Sequence, residues 1–144
     1  MADIRTEADI GRIGEAFRAA TLPKAEWTHA AHFAAALWLI ARCPDVAPER
    51  DMPAMIRRYN DATGTVNSDT SGYHETITQA SLRATRAFLA GRPADEQLHA
   101  TLAALMASPL GGRDWPFAYW SRDVLMSAQA RREWVEPDVR PQPW

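Results

Sequence analysis

The sequence predicts an all-α single domain of five to six helices with a buried, central second helix. Three observations lead there. No segment alternates apolar and polar residues with period two for long enough to suggest a sheet. Apolar residues instead recur three and four apart in several segments. Proline, glycine and small polar residues separate those segments.

The first helix is expected over roughly Glu7 to Ala20, since Thr6 and Asp9 have cap-box spacing and Ile10, Ile13 and Phe17 follow at helical intervals. Leu22-Pro23 ends that segment. Thr28 is then an N-cap for a second helix running to about Arg42, before Cys43-Pro44. Phe33, Leu37, Trp38, Leu39, Ile40 and several alanines make it apolar on nearly every face, so it should be buried all round. A third helix starts near Pro48, carries Met52, Met55, Ile56 and Tyr59 on one face and stops at Gly64. The polar stretch Thr65 to Gly72 reads as a loop or lid. A fourth helix opens at Tyr73 and runs to about Gly91, and a fifth starts at Pro93, with Leu98, Leu102, Leu105 and Met106 inward. After the loop "SPLGGRDWP", a last helix is expected from about Ser121 to Trp134. Residues 136–144 hold three prolines and should be extended, docked or frayed.

Composition narrows the function. The 144 residues make one domain able to bury a core unaided, and 47% apolar with 24% charged residues is ordinary for a soluble globular protein. The net charge is −2 with no basic run, so nucleic acid is not an expected partner. The apolar run Ala30 to Ala41 is too short to span a bilayer, and MADIRTEAD lacks a secretory apolar core. The expectation is a cytoplasmic protein without a membrane partner. The lone Cys43 is read as apolar filler at a helix end.

The histidines carry the functional signal. His29 and His32 lie three apart in the first turns of the second helix, hence on one face, and His74 opens the fourth. Short connections make neighbouring helices antiparallel, which brings both helix starts to one end of the bundle. The expectation is a three-histidine metal site of His29, His32 and His74, holding Zn, Fe, Ni or Cu at about 2.0–2.1 Å with open positions for water. The helix N-terminus and burial both favour the neutral imidazole that such a role needs. "HETIT" lacks the second histidine of the zinc-protease motif, so Glu75 is cast as a catalytic base, as a residue steering an imidazole, or as a helix-dipole residue, with Glu26 as a spare ligand. His99, beside Glu96 and Gln97, reads as a surface residue. Trp27 and Tyr73 read as hydrophobic staples. The cluster Trp115, Phe117, Tyr119 and Trp120 reads as packing ahead of pocket wall. An arginine from Arg122, Arg131 and Arg132 that turned into the histidine end would clamp an anion.

The segments W-T-H-x-x-H (Trp27 to His32), G-Y-H-E-T (Gly72 to Thr76) and "SAQARREWVEPD" (Ser127 to Asp138) together resemble a family of small bacterial helical proteins with no assigned function. The resemblance covers most of the chain. It implies that His29, His32, His74 and Glu75 form one pattern, and it supplies no reaction. Metal-binding bundles of the DinB type also use three histidines, but their spacing does not align with this one.

The leading expectation is therefore a metal-binding helical protein acting as a small metal-dependent enzyme on a small-molecule substrate, with a homodimer left open. Two alternatives stand beside it. One is a metal-free module that holds a small anion with neutral histidines, helix N-termini and an arginine. The other is an interaction domain whose aromatics mediate self-association.

Overall fold

A computed structural model describes residues 3–144, and it is all-helical. The described residues form α1 (Glu7–Arg18), α2 (His29–Arg42), α3 (Pro48–Ala62), α4 (Glu75–Ala90), α5 (Leu98–Ala107), α6 (Arg122–Leu125) and α7 (Ala128–Arg132). Short 3₁₀ turns lie at Lys24–Glu26, Pro109–Gly111 and Trp115–Ala118. No described helix is long and apolar enough to cross a membrane.

Local chemistry explains where the helices start. Thr6 and Asp9 make a reciprocal capping box: the Asp9 N–H donates to Thr6 Oγ1 at 3.1 Å, and the Thr6 N–H donates to Asp9 Oδ2 at 3.0 Å. Thr28 Oγ1 accepts from the Ala31 N–H at 3.2 Å and opens α2. Pro48 begins α3, where its missing N–H costs no helical bond. Just past the end of α3, Gly64 takes a left-handed φ of +79°.

Two helices depart from the sequence expectation. The segment after Gly91 turns through residues 93–97 instead of starting a helix at Pro93. Glu96 takes both guanidinium donors of Arg92, at 2.8 and 2.7 Å, and the Thr101 hydroxyl at 2.8 Å, which ties the end of α4 to the start of α5. The last helix is broken into α6 and α7 by Ser127. Its hydroxyl donates to the Val124 carbonyl at 2.7 Å and accepts from the Ala130 N–H at 3.1 Å, so one residue closes α6 and caps α7.

α2 is the centre of the bundle, as its all-apolar composition predicts. It packs against α1, α3, α4 and α5, and Ala31, Ala34, Ala35, Leu37 and Leu39 have no accessible surface. Beside it, Phe17 stacks on Trp27 with centroids 4.5 Å apart, and the buried Tyr59 hydroxyl donates to the Leu22 carbonyl at 2.9 Å. α1 comes so close to α2 that the Trp38 ring lies over Gly14: a Cβ there would sit 2.3 Å from Trp38 Cε3.

The proline-rich tail is docked. The indole N–H of the fully buried Trp120 donates to the Val135 carbonyl at 2.9 Å, and the Val139 N–H donates to the Tyr119 carbonyl at 2.9 Å. Trp144 packs on Trp115 and Tyr119.

Gly14→Ala is expected to destabilise the fold by about 1–3 kcal/mol through overpacking of Trp38, although alanine is the better helix former. Gly11→Ala meets only Trp38 Nε1 at 3.8 Å and should be neutral or stabilising. Urea melts of the two variants test this, and equal stability would contradict it.

Candidate functional site

The first turns of α2 and α4 do share a cavity, of about 560 Å³. Phe33 and Ala36 of α2, Met52 and Ile56 of α3, and Ile77 and Leu82 of α4 give it apolar walls. The Trp115–Ala118 turn and α6 complete it with Trp115, Phe117 and Leu125. Polar groups also line it: His29, His32, Thr78, Ser81, Arg113, Asp114 and Arg122.

Each imidazole is spoken for by a backbone carbonyl. A carbonyl only accepts, so it dictates where the ring proton sits. His32 Nδ1 lies 2.6 Å from the Thr28 carbonyl one turn back and must carry the proton. His29 Nε2 lies 2.9 Å from the Leu110 carbonyl and donates to it. His74 is buried and uses both nitrogens: Nε2–H donates to the Leu125 carbonyl at 2.7 Å, and Nδ1 accepts the Ile77 N–H at 3.2 Å. His74 is thus the N-cap of α4, a role usually taken by Ser, Thr, Asp or Asn.

These bonds overturn the metal site expected of His29, His32 and His74. No group of three His, Cys, Asp or Glu side chains among the described residues is placed to hold a metal ion. His74 has no lone pair left to offer and is absent from the cavity wall. His29 has its Nε2 turned to Leu110. The helix starts converge, but the rings do not converge on one point.

Glu75 and Glu26 sit elsewhere as well. Glu75 Oε1 accepts from the Tyr73 hydroxyl at 2.6 Å and from Gln79 Nε2 at 3.1 Å, outside the cavity. Glu26 pairs with Arg12 at 2.9 Å. His99 is half-buried, its Nδ1 3.2 Å from Glu7. Trp27 is the staple its position predicts, with an unusual partner: its ring packs on His32, centroids 3.9 Å apart.

Of the three arginines considered as an anion clamp, only Arg122 reaches the cavity, where its guanidinium lies 4.5 Å from the Phe117 ring centroid. Arg131 donates to the Gly72 carbonyl at 3.0 Å, and Arg132 pairs with Asp69. Those bonds pin the Thr65–Gly72 loop away from the cavity. Asn67 holds it from within, its Oδ1 accepting from Asn60 Nδ2 at 2.9 Å and from the Tyr73 N–H at 3.0 Å. The aromatic cluster divides. Trp120 is core, while Trp115 and Phe117 pack and also form the wall.

Two features escaped the sequence reading. Arg113, in the glycine-rich loop, stands on the cavity wall. Thr76, fully buried, is the hub that fastens α7 to α4. Its hydroxyl lies 2.7 Å from the Ala130 carbonyl and 2.9 Å from that of Glu133, and it accepts the Val135 N–H at 3.2 Å.

Burial favours the neutral ring at His32 and at His74. Protein atoms crowd His32, and this desolvation holds its pKa at about 4, below the ordinary 6.5, with His29 and Arg113 acting in the same direction. By surface area the residue is nonetheless exposed. Solvent reaching the ring weakens the shift without reversing it. Burial likewise lowers His74, assisted by the nearby Arg131 charge.

Comparison with protein-family models, curated proteins and solved structures finds no match to this chain.

Both lowered histidines bind protons more readily in the unfolded chain. Stability should therefore fall as pH drops from about 6.5 towards 4, and the carboxylates with lowered pKa join only below about pH 5. His74→Asn keeps a capping side chain and loses the titration. It should be less stable than wild type at pH 8 yet lose less stability between pH 7 and 5, as denaturant melts across that range will show. An unchanged pH slope would remove His74 from the account. Thr76→Val should cost about 1–3 kcal/mol and loosen α7 before the rest, as read by amide exchange. Uniform loosening would count against the hub.

Proposed function

We propose that this protein binds a small organic anion with an apolar body in the cavity between the first turns of α2 and α4. The observation that carries the reading is the state of Arg113 and Arg122. Both line the cavity, and neither makes an ion pair among the described residues, whereas most of the other arginines pair with carboxylates. A guanidinium offers a planar fork of donors suited to a carboxylate or phosphate. Asp114, the one carboxylate on the wall, is exposed and also unpaired among the described residues.

The size and lining support the same reading. A cavity of this volume falls in the range of small-ligand sites, which are mostly apolar with a few convergent polar groups. Arg113 and Arg122 are both exposed, and Phe117 lies against the Arg122 guanidinium, which orients that donor fork at the cavity.

The test uses phenylacetate and its methyl ester as probes, with binding followed by ligand-observed NMR. Wild type should prefer the acid by about tenfold, and Arg113→Gln with Arg122→Gln should abolish that preference while leaving the ester's affinity unchanged. Equal affinity for acid and ester in wild type would contradict the reading.

A further inference from the structure

We infer that the ligand of this cavity carries a hydrogen-bond donor, most simply a hydroxyl, that meets Nε2 of His32, so that the class of ligand is a hydroxylated organic acid. The inference rests on the anion-binding reading and adds a second recognition element to it.

Thr28 caps α2 through its side chain, and its carbonyl accepts both the His32 N–H at 3.0 Å and the His32 Nδ1 proton at 2.6 Å. Nδ1 is therefore the protonated nitrogen, and Nε2 presents a lone pair. That lone pair has no hydrogen-bond partner among the described residues, although the residue stands on the cavity wall. Stacking against Trp27 holds the ring in place. His29 repeats the pattern: Leu110 takes its Nε2 proton, Nδ1 has no hydrogen-bond partner among the described residues, and the residue lines the same cavity.

The chemistry of the wall is thus divided. The arginines only donate, and they call for an anion. With one nitrogen of each ring donating to a carbonyl, the other is left as an acceptor, and a carboxylate cannot satisfy it. A ligand that fills the cavity removes solvent from these lone pairs, and one without a donor leaves them unpaired at a cost. A hydroxylated acid meets both demands at once. Thr78 and Ser81, also on the wall, do not discriminate, since a hydroxyl adapts to either role.

The experiment compares phenylacetate with 2-, 3- and 4-hydroxyphenylacetate by titration calorimetry on the whole chain, and repeats the comparison with the four methyl esters. At least one hydroxylated isomer should bind roughly threefold to tenfold tighter than its parent, in acid and ester series alike. His32→Phe keeps the ring stack on Trp27 and leaves the Thr28 carbonyl its backbone donor. It should erase the hydroxyl advantage, so that hydroxylated and parent compounds bind the variant with a ratio of about one. If no isomer gains, or if the gain survives His32→Phe, the inference is overturned while the arginine reading stands. If the acid preference is missing but the ester series still gains from a hydroxyl, the arginine reading fails and the donor inference holds. Absence of binding by all eight compounds overturns both. Should His32→Phe not fold, the wild-type Nε2 resonance decides: it should move with the best hydroxylated acid and not with phenylacetate, and equal movement with both would overturn the inference.

Discussion

Three backbone carbonyls, those of Thr28, Leu110 and Leu125, set the chemistry of this bundle. Each takes one imidazole proton. The carbonyls of Leu110, in a turn, and Leu125, at a helix end, must be satisfied outside a helix, while that of Thr28 also accepts the His32 N–H. Here the satisfaction is supplied by histidine, and it acts in two directions. It ties the loop after α5 and the end of α6 to the starts of α2 and α4. It also fixes which nitrogen of each ring holds a proton against the backbone, which decides what remains available to a ligand.

The cavity follows from those ties. One of its walls is the segment from Arg113 to Met126, which has little regular helix of its own. That wall is held by long-range bonds: Leu110 to His29, Leu125 to His74, and Trp120 to Val135. Thr76 then anchors α7 behind it, and the tail closes over Trp115 and Tyr119 through Trp144. A small bundle with two very short helices gains from this arrangement, because isolated four- and five-residue helices have no stability of their own. The cost falls on His74, which must stay neutral and fully bonded, and which is therefore lost to the cavity.

Local features were legible in the sequence because their causes are local. The caps at Thr6 and Thr28, the proline at the start of α3, the glycine after its end and the burial of α2 each depend on residues a few positions apart. The meeting of the α2 and α4 starts was legible too, since short connectors force alternating directions. The ring directions were not. The carbonyls that claim His29 and His74 lie 81 and 51 residues away, and no periodicity encodes them. The start of α5 depends on an ion pair between Arg92 and Glu96, and the break at Ser127 on one hydroxyl serving two helices. Arg113 sits among glycines and carries no pattern that would mark it. A triad of histidines at helix starts is thus compatible with a metal site and with three hydrogen-bonded struts, and only the distant carbonyls separate the two.

The most direct measurement is the protonation state of each ring nitrogen, read from long-range proton–nitrogen correlations of the imidazoles at pH 7.5. Fixed protons are expected on Nε2 of His29 and His74 and on Nδ1 of His32, with the His32 and His74 rings neutral. A proton on Nδ1 of His74, a proton on Nε2 of His32, or rings averaging between tautomers would contradict that assignment.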